Sequence, residues 1–352
     1  MPRLPTDVII SDILTRVPAK TAARSKSVCK EWRALLSTRD FEKAHCSRTL
    51  TPSNQRTLLI RDLSCHIQPM EFEAADSGLQ TIVPLPFQAE IKDVMILSHL
   101  DGLLCVYLQH TDKLVLWNPT TGAHTLLSTP AGHGVYTDLT DTVGLYNGAT
   151  NDYRVLHLSR ISDPVSAHVY SRQLGSWRKI AFGSNPEYQK PTFYWSPGTV
   201  CGGTLYFTVC ECYVVGKNLV VGFDTNTEQV TEISFPPVPS SGIFQGILVD
   251  VRQSLHMVLW TGHQDMSLTL WALQGDTWAK HFSTPTIPPI PLSLWLTITH
   301  YLTDGTFVVM SNSRKLYEIR VGNNPLQCYY ASSCFRGYIG AVFQQTLVSP
   351  IA

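Results

Sequence analysis

The chain of 352 residues carries 27 Lys and Arg and 27 Asp and Glu, so its formal net charge at pH 7 is zero. Hydrophobic residues make up 44% and charged residues 15% of the sequence, which excludes a disordered chain and indicates a folded protein with a sizeable core. The charge is uneven, because residues 1–50 hold ten Lys and Arg and five Asp and Glu. This basic segment suits either an acidic partner or a solvated helical face.

Nothing in the sequence predicts export or a membrane partner. The first residues show no apolar segment followed by a small-residue cleavage site, and no run approaches the ~18 apolar residues of a membrane span. The nine Cys residues are odd in number and irregularly spaced, which is typical of reduced thiols. We therefore expect an intracellular protein of the cytoplasm, the nucleus or both.

The start of the chain is predicted to be helical. Four apolar residues recur at the spacing of one helix face: Ile10, Ile13, Leu14 and Val17. Pro18 is expected to end this first helix, because proline disfavours a helical conformation in the residue before it.

Three further helical segments and a linker follow. A second short helix is predicted at 19–26, and a third at 28–36, for which Ser27 is a suitable N-cap. A fourth turn is predicted at 40–45. The polar segment 47–56 contains a proline and is predicted to be a linker.

From residue 57 onward the pattern changes to short strands, and two features recur. A small or polar pair precedes an apolar strand at intervals of 50–52 residues, and the second residues of these pairs are Gly102, Asp152, Gly203, Gln253 and Gly305. An aromatic residue followed by a turn and another strand recurs in near register: Phe72, Trp117, Tyr170, Phe223, Trp271 and Tyr317. A period near ~50 residues with about four strands is typical of a kelch-type propeller blade.

The predicted fold is therefore an α+β multidomain chain. A small all-α module at 1–46 and the linker precede an all-β, propeller-like domain of about six kelch-type blades at 57–352. The stretch 338–348 is expected to pair with the first blade and remove its open edge. An irregular β-sandwich or barrel of six units is the alternative.

The beginning of the chain resembles the plant F-box. The likeness rests on Leu-Pro at 4–5, Ile-Leu-Thr-Arg-Val-Pro at 13–18 and Val-Cys-Lys-Glu-Trp-Arg at 28–33. Later segments are similar to the F-box-associated domain of the same plant family: 101–105, 116–122, 151–155 and 346–350. The first of the two resemblances implies an F-box module, and the second implies a substrate-binding domain.

The resemblance implies a non-catalytic substrate-recognition subunit of an SCF-type (Skp–cullin–F-box) ubiquitin ligase. Its expected partners are a Skp-family adaptor, through it a cullin and a RING subunit, and an unknown protein substrate. Apolar side chains of a short helical module are expected to be buried by the adaptor. The expected adaptor-binding residues are Leu4, Pro5, Ile10, Ile13, Leu14, Val17, Pro18, Val28, Cys29 and Trp32.

Two positions depart from the family pattern. Ala22 and Ser25 stand where many members carry large apolar residues. We expect adaptor binding to be weaker than is typical, because burial of a large side chain contributes roughly 1.5–3 kcal/mol.

Substrate binding is expected on loops at one mouth of the propeller. The candidates are aromatic residues in long or proline-rich loops: Tyr136, Tyr194, Trp195, Phe244 and Trp295. For each of them an ordinary packed turn is the alternative.

Motifs for other chemistry were sought and are lacking. Cys210 and Cys212 lie on one face of a predicted strand, but a second pair of metal ligands is missing, so we expect neither a metal nor a cofactor. No catalytic or phosphate-binding motif and no pattern for nucleic-acid binding is present. Two alternatives stay open: a propeller-type binding module or enzyme with a non-ligase role, and a protein that binds the adaptor without assembling a ligase.

Overall fold

The computed structural model describes the following segments of the chain: 8–49, 56–61, 67–71, 85–86, 94–128, 130, 141–160, 165–183, 185, 190, 192–211, 218–237, 245–251, 253–261, 267–283, 296–301, 306–311, 315–320, 327–331 and 339–351. The chain divides into two compact units. One unit combines Met1–Thr129 with Gly337–Ala352, and the other is Pro130–Arg336.

Four helices lie at the start of the first unit, close to where the sequence predicts them. They are α1 (Ile9–Leu14), α2 (Ala19–Ser25), α3 (Lys30–Leu35) and α4 (Arg39–Thr49). Helix α1 is a short π-helix. In the part of the chain that the structure describes, no helix has the length and apolar character to cross a membrane.

The N-cap of α3 differs from the prediction. The cap is Cys29, whose Sγ accepts a hydrogen bond from the backbone N–H of Trp32 at 3.4 Å. Ser27 instead donates its hydroxyl to the carbonyl of Arg24 at 2.6 Å. The predicted cap was wrong because this serine bonds backward to the end of α2.

Helix α4 is longer than the turn predicted at 40–45, and it enters the predicted linker. It ends at Thr49, and Arg48 in its last turn donates hydrogen bonds to the carbonyl of Ser11 and to Thr15 Oγ1. These contacts anchor the last turn of α4 on the end of α1. The sequence pattern missed them because they join residues more than thirty positions apart.

The strands of the first half are, in chain order, β1 (Arg56–Arg61), β2 (Ile67–Glu71), β3 (Val94–Leu100), β4 (Leu103–Leu108), β5 (Lys113–Trp117), β6 (His124–Leu127), β7 (Asp141–Asn147), β8 (Tyr153–Ser159), β9 (Ser166–Ser171), β10 (Ser176–Ile180), β11 (Phe193–Trp195) and β12 (Thr199–Cys201). Those of the second half are β13 (Thr204–Glu211), β14 (Asn218–Asp224), β15 (Val230–Ser234), β16 (Gln245–Val251), β17 (Ser254–Thr261), β18 (Ser267–Gln274), β19 (Thr277–Ser283), β20 (Leu296–Tyr301), β21 (Thr306–Ser311), β22 (Lys315–Arg320), β23 (Gln327–Ala331) and β24 (Ile339–Gln344).

These strands form six antiparallel sheets within the described segments. Four sheets are simple four-stranded meanders: β3–β6, β7–β10, β16–β19 and β20–β23. The fifth holds β11–β15, in which β11 and β12 both pair with β13. The sixth is β2–β1–β24, in which a strand from late in the chain pairs with β1. The predicted propeller-like architecture and the predicted pairing of 338–348 with the first strands are confirmed.

The recurring residue pairs that the structure describes lie in hairpin turns between two antiparallel strands, whereas Arg252, Asp304 and Gly305 lie outside the described residues. Asp101 and Gly102 have φ of 49° and 80°, and Gly202 and Gly203 have φ of 57° and 81°. Two successive left-handed residues form the turn whose twist matches that of the strands it joins. Asn151 has a φ of 55° at the corresponding turn of the β7–β10 sheet. The repeat seen in the sequence is therefore a repeat of backbone geometry.

The recurring aromatic residues lie on the next-to-last strand of successive sheets. Four of them are on β5, β9, β14 and β18: Trp117, Tyr170, Phe223 and Trp271. Trp117 and Phe223 are fully buried. Tyr317 lies on β22, and Phe72 lies outside the described residues. The aromatic repeat thus marks a strand that faces the interior.

Gly203 tests whether the left-handed turns stabilise the sheets. A side chain there would have ample room, since the nearest atom to an added Cβ is Asn226 Nδ2 at 3.9 Å. We expect Gly203→Val to lower the free energy of unfolding by about 1–2 kcal/mol, because a β-branched residue is strained at positive φ. Urea denaturation measures the change. Gly183→Val is the matched control, because Gly183 also has open space around it but no positive φ; equal effects of the two variants would contradict the explanation.

Candidate functional site

Residues 8–49, here called the helical module, pack around a small core. Its buried side chains come from α1, α2 and α4, from the residue after α3 and from one distant segment: Leu14, Ala19, Ala22, Leu36, Phe41 and Leu347. Partly buried apolar residues pack against them: Ile9, Val17, Ala23 and Trp32. The core is thus built from few large side chains, and one of them comes from the far end of the sequence.

Polar contacts tie α4 to the first helix and its end. His45 Nε2 lies 2.9 Å from the carbonyl oxygen of Val17. Because a carbonyl only accepts hydrogen bonds, Nε2 carries the proton and donates it. Burial lowers the pKa of His45, since desolvation disfavours the charged ring. His45 is therefore a neutral hydrogen-bond donor that joins α4 to the segment after α1.

Three large apolar side chains of the module stay exposed. Ile13 is 44% exposed, Val28 is 65% exposed and Leu35 is 39% exposed. They lie on α1, before α3 and at the end of α3. Here they are called the exposed apolar set. Such residues cost little individually, but together they offer a partner apolar surface to bury.

Basic side chains are also exposed in the module, on α2, on α3 and in the connection after α1. Five of them are exposed: Arg16, Lys20, Arg24, Lys30 and Arg33. An acidic protein surface would be attracted to them before contact, which raises the association rate. The module therefore exposes both apolar side chains and positively charged side chains.

The structure separates the ten predicted adaptor-binding residues into groups. Ile13, Pro18, Val28 and Cys29 are exposed, and Val17 and Trp32 are partly buried against the core. Leu4, Pro5 and the side chain of Ile10 lie outside the described residues.

Leu14 is a correction to that prediction. It is buried in the core of the module, so it supports the helices and offers no surface to an adaptor. The periodicity of 10, 13, 14 and 17 identified one face of a helix but did not show whether the chain itself or a partner covers it.

Ala22 also has a different role from the one expected. It is fully buried in the module core, so its small size fits a close contact and does not mark a missing adaptor contact. Ser25 donates its hydroxyl to the carbonyl of Thr21 at 3.0 Å. The expectation of weaker adaptor binding therefore loses its support at Ala22.

The predicted substrate-binding aromatics separate in the same way. Tyr194 on β11 is 45% exposed, whereas Trp195 is only 3% exposed. Trp195 packs on Phe182 and Phe207 with ring centroids 5.9 Å apart in each case, so it belongs to the interior, and its prediction as a binding residue was wrong. The other three lie outside the described residues: Tyr136, Phe244 and Trp295.

Sequence reasoning missed several exposed or functional side chains. Leu174, in the turn between β9 and β10, is 75% exposed and is the most exposed large apolar residue among the described residues of the second unit. Its position before Gly175, which has a φ of 62°, is a turn signal that points to the surface. Leu35, which is exposed, and His45, which is buried, were also missed, because helical spacing does not distinguish an exposed side chain from a core one.

Metal-binding clusters were sought among the same described segments. No group of three or more His, Cys, Asp or Glu side chains there has the arrangement to hold a metal ion. Cys210 is partly exposed on β13, and Cys212 lies outside the described residues.

The chain matches two known families of domains. Residues 63–319 match the F-box associated beta propeller domain, and residues 1–44 match the F-box domain. The F-box/kelch-repeat protein At3g23880 of Arabidopsis thaliana is 24% identical, covering 97% of this chain and 94% of that protein. The F-box protein CPR1 of Arabidopsis thaliana is 21% identical, covering 99% and 89%.

Among solved structures, the chain is similar to a periplasmic gluconolactonase of Pseudomonas aeruginosa. The TM-score is 0.45 at 14% sequence identity, and the match covers 76% of this chain and 79% of that one.

The buried state of His45 generates a pH prediction. Its pKa in the folded chain is below its usual value, so the unfolded chain binds a proton at His45 that the folded chain does not. This contribution destabilises the protein as pH falls below about 6.5, the ordinary pKa of histidine. We expect the thermal midpoint of the wild type to fall further than that of His45→Gln between pH 7.5 and pH 5. Parallel pH profiles of the two proteins would contradict the prediction.

Ala22 generates a packing prediction. We expect Ala22→Leu to lower the free energy of unfolding by about 1–3 kcal/mol, because added methylenes overfill a packed core. Ala34 is exposed on α3, so Ala34→Leu is the matched control and should change stability by less than about 0.5 kcal/mol. Urea unfolding of both variants provides the measurement, and an Ala22→Leu protein as stable as the wild type would show that the core has unfilled space.

Proposed function

We propose, from the premise that this chain belongs to the plant F-box proteins with an F-box-associated β-propeller domain, that it is the substrate receptor of an SCF-type ubiquitin ligase. In this role the helical module binds a Skp-family adaptor, which links the receptor to a cullin and a RING subunit. The β-sheet domain binds the protein that is to be ubiquitinated.

The observation that carries the proposal is the exposed apolar set of the helical module. Ile13, Val28 and Leu35 remain in water although the module core lies beside them. Full burial of one such side chain by a partner contributes roughly 1.5–3 kcal/mol, so the exposed apolar set would supply part of the free energy of docking. The exposed Arg and Lys residues of the same module favour an adaptor with an acidic surface.

The proposed receptor contributes no chemical step. It contributes proximity, because a target bound to the sheets is held near the conjugating enzyme that the adaptor arm brings. Two binding events on one chain make the encounter of enzyme and target intramolecular, which raises their effective concentration. The function therefore requires a surface for the adaptor, a surface for the target and a connection between them.

Exposed apolar side chains of the second unit are the proposed contacts for the target. Tyr194 and Leu174 are the candidates that the structure describes there, since their side chains lie on the surface without a core role. The target itself is proposed only as a protein. The cytoplasm or the nucleus is the proposed place of action, because SCF assembly requires intracellular partners.

A protein that binds the adaptor without assembling a ligase would share the same module. Reconstitution with adaptor, cullin, RING subunit and conjugating enzyme separates the two cases. Ubiquitin transfer to a captured target, or to the receptor itself, supports the receptor role. Stable adaptor binding without any transfer would favour the second case.

Val28 provides the sharpest test of the adaptor site. Its side chain is 65% exposed, so Val28→Asp leaves the module core unchanged while it removes an apolar anchor. We expect the dissociation constant for a purified Skp-family adaptor to rise about tenfold or more, because a buried carboxylate without a partner is costly.

Leu174→Asp is the matched control for that substitution. It replaces an apolar side chain that is even more exposed by the same charged residue. Leu174 lies in the second unit, so the substitution should leave adaptor binding unchanged. Isothermal titration calorimetry measures both constants. If Val28→Asp binds as tightly as the control, the proposed docking surface is refuted.

A further inference from the structure

The helical module shares its core with a segment that is remote in sequence. Residues 345–351, here called the strap, follow β24. Leu347 is 1% exposed and belongs to the same core cluster as Leu14, Leu36 and Phe41. Its neighbours Thr346 and Val348 are also buried. A side chain from beyond the β-sheets therefore completes the interior of the adaptor-binding helices.

The strap is held on its other side by the β3–β6 sheet. Asn118, directly after β5, donates its amide Nδ2–H groups to the carbonyls of Thr346 at 3.0 Å and Val348 at 2.8 Å. Thr346 Oγ1 donates to the carbonyl of Asp101, in the turn between β3 and β4, at 2.6 Å. The backbone N–H of Ser349 donates to Glu42 Oε2 on α4 at 3.3 Å. The strap thus contacts both the helices and the sheet.

A matching turn in the second unit shows what is specific about Asn118. Asp224, the last residue of β14, comes directly after Phe223 as Asn118 comes directly after Trp117, and each accepts backbone N–H bonds within its own turn. Asn118 Oδ1 accepts from Thr120 at 2.8 Å, and Asp224 Oδ1 accepts from Asn226 at 2.8 Å. A carboxylate has no hydrogen to donate, whereas the amide of Asn118 has two. Both amide hydrogens are used on the strap.

The residue after Asn118 also shows that the strap supplies a contact which the equivalent turn makes within its own sheet. After Asp224, the hydroxyl of Thr225 donates to the carbonyl of Gly203, in a hairpin turn of its own sheet, at 2.7 Å. The residue after Asn118 is Pro119, which has neither a hydroxyl nor a backbone N–H to donate. In the β3–β6 sheet, Thr346 of the strap supplies a hydroxyl to the corresponding hairpin turn.

We infer that the strap is an integral part of the adaptor-binding module, fixed by Asn118, so that adaptor binding depends on residues of the β3–β6 sheet and of the segment after β24. Asn118 and Leu347 are positioning residues, which act through the helices and do not touch the adaptor. This inference rests on the proposed function for its effect on adaptor binding. Its structural half, the dependence of helix stability on the strap, stands independently.

Asn118→Asp in the full chain tests the inference. The substituted carboxylate keeps the acceptor for the turn but loses both donors and faces two carbonyl oxygens. We expect the backbone amides of α1–α4 to exchange hydrogen for deuterium about tenfold faster or more, because two buried carbonyls lose their partners. We expect adaptor binding to weaken by a similar factor. Amides of β13 and β14 in the second unit should keep their protection.

Asp224→Asn is the matched control, because it makes the reverse exchange at the equivalent turn. It should change helix exchange and adaptor binding by less than about twofold. Thr346→Val is a milder second variant, since it removes one hydroxyl donor and keeps the shape of the side chain. Leu347→Ala removes the apolar contact alone and should also speed exchange in the helices.

The outcomes separate the strap from the proposed function. Unchanged hydrogen exchange of the helix amides in Asn118→Asp, Thr346→Val and Leu347→Ala overturns the inference that the strap stabilises the helices. Equal loss of protection in the helices and in β13–β14 also overturns it, because the effect is then not local. If the wild type binds none of the Skp-family adaptors tested, the proposed function is refuted. The exchange measurements need no adaptor, so they still test whether the strap stabilises the helices.

Discussion

A helical module of the size of residues 8–49 has too little interior to bury all of its apolar side chains. Among the described side chains, its core cluster holds three large buried apolar residues of its own, Leu14, Leu36 and Phe41, besides two buried alanines. The module therefore takes one leucine from the strap and leaves three apolar residues in water. Both features follow from the same shortage of interior volume. The leucine of the strap attaches the module to the sheets, and the three exposed residues leave apolar surface that a partner would bury.

The β-sheets solve the same problem by repetition. One four-stranded meander is too thin to cover both of its faces, so stability requires neighbouring sheets to pack together. In the second unit, residues of β7–β9 and of β11–β14 share one cluster that includes Tyr146, Phe207 and Phe223. Hairpin turns that the structure describes contain residues at positive φ, such as Gly102, Asn151 and Gly203, which explains why small or polar pairs recur along the sequence. The recurring residues thus set the backbone geometry of each sheet, and the positions that differ between sheets are free to serve function.

The sequence was sufficient to predict features with a local cause. The position and order of the helices, the hairpin turns and the aromatic strands follow from periodicity and turn residues. The pairing of β24 with β1 was expected because an open sheet edge has unsatisfied hydrogen-bonding groups. Local patterns did not reveal the burial of Leu14 or the length of α4. Those depend on contacts between residues far apart in sequence, such as Arg48 with Thr15.

The candidate site was predicted less completely than the fold for the same reason. Helical periodicity marks which residues share a face, but it does not say whether that face meets the chain or a partner. Leu14 and Ile13 are adjacent in sequence, yet one is buried and the other exposed. Similarly, Tyr194 and Trp195 are neighbours on β11 that point to opposite sides, as alternation along a strand requires. Burial had to come from the three-dimensional structure.

The strap gives a physical reason for the helices and the β3–β6 sheet to act as one body. Hydrogen bonds from Asn118 and the buried Leu347 join the helices to the sheet at a second place, apart from the chain that runs from α4 to β1. Two attachments restrict rotation where one does not. The exposed apolar set that is proposed to bind the adaptor is therefore oriented by side chains of the strap and of the β3–β6 sheet, which lie outside that set.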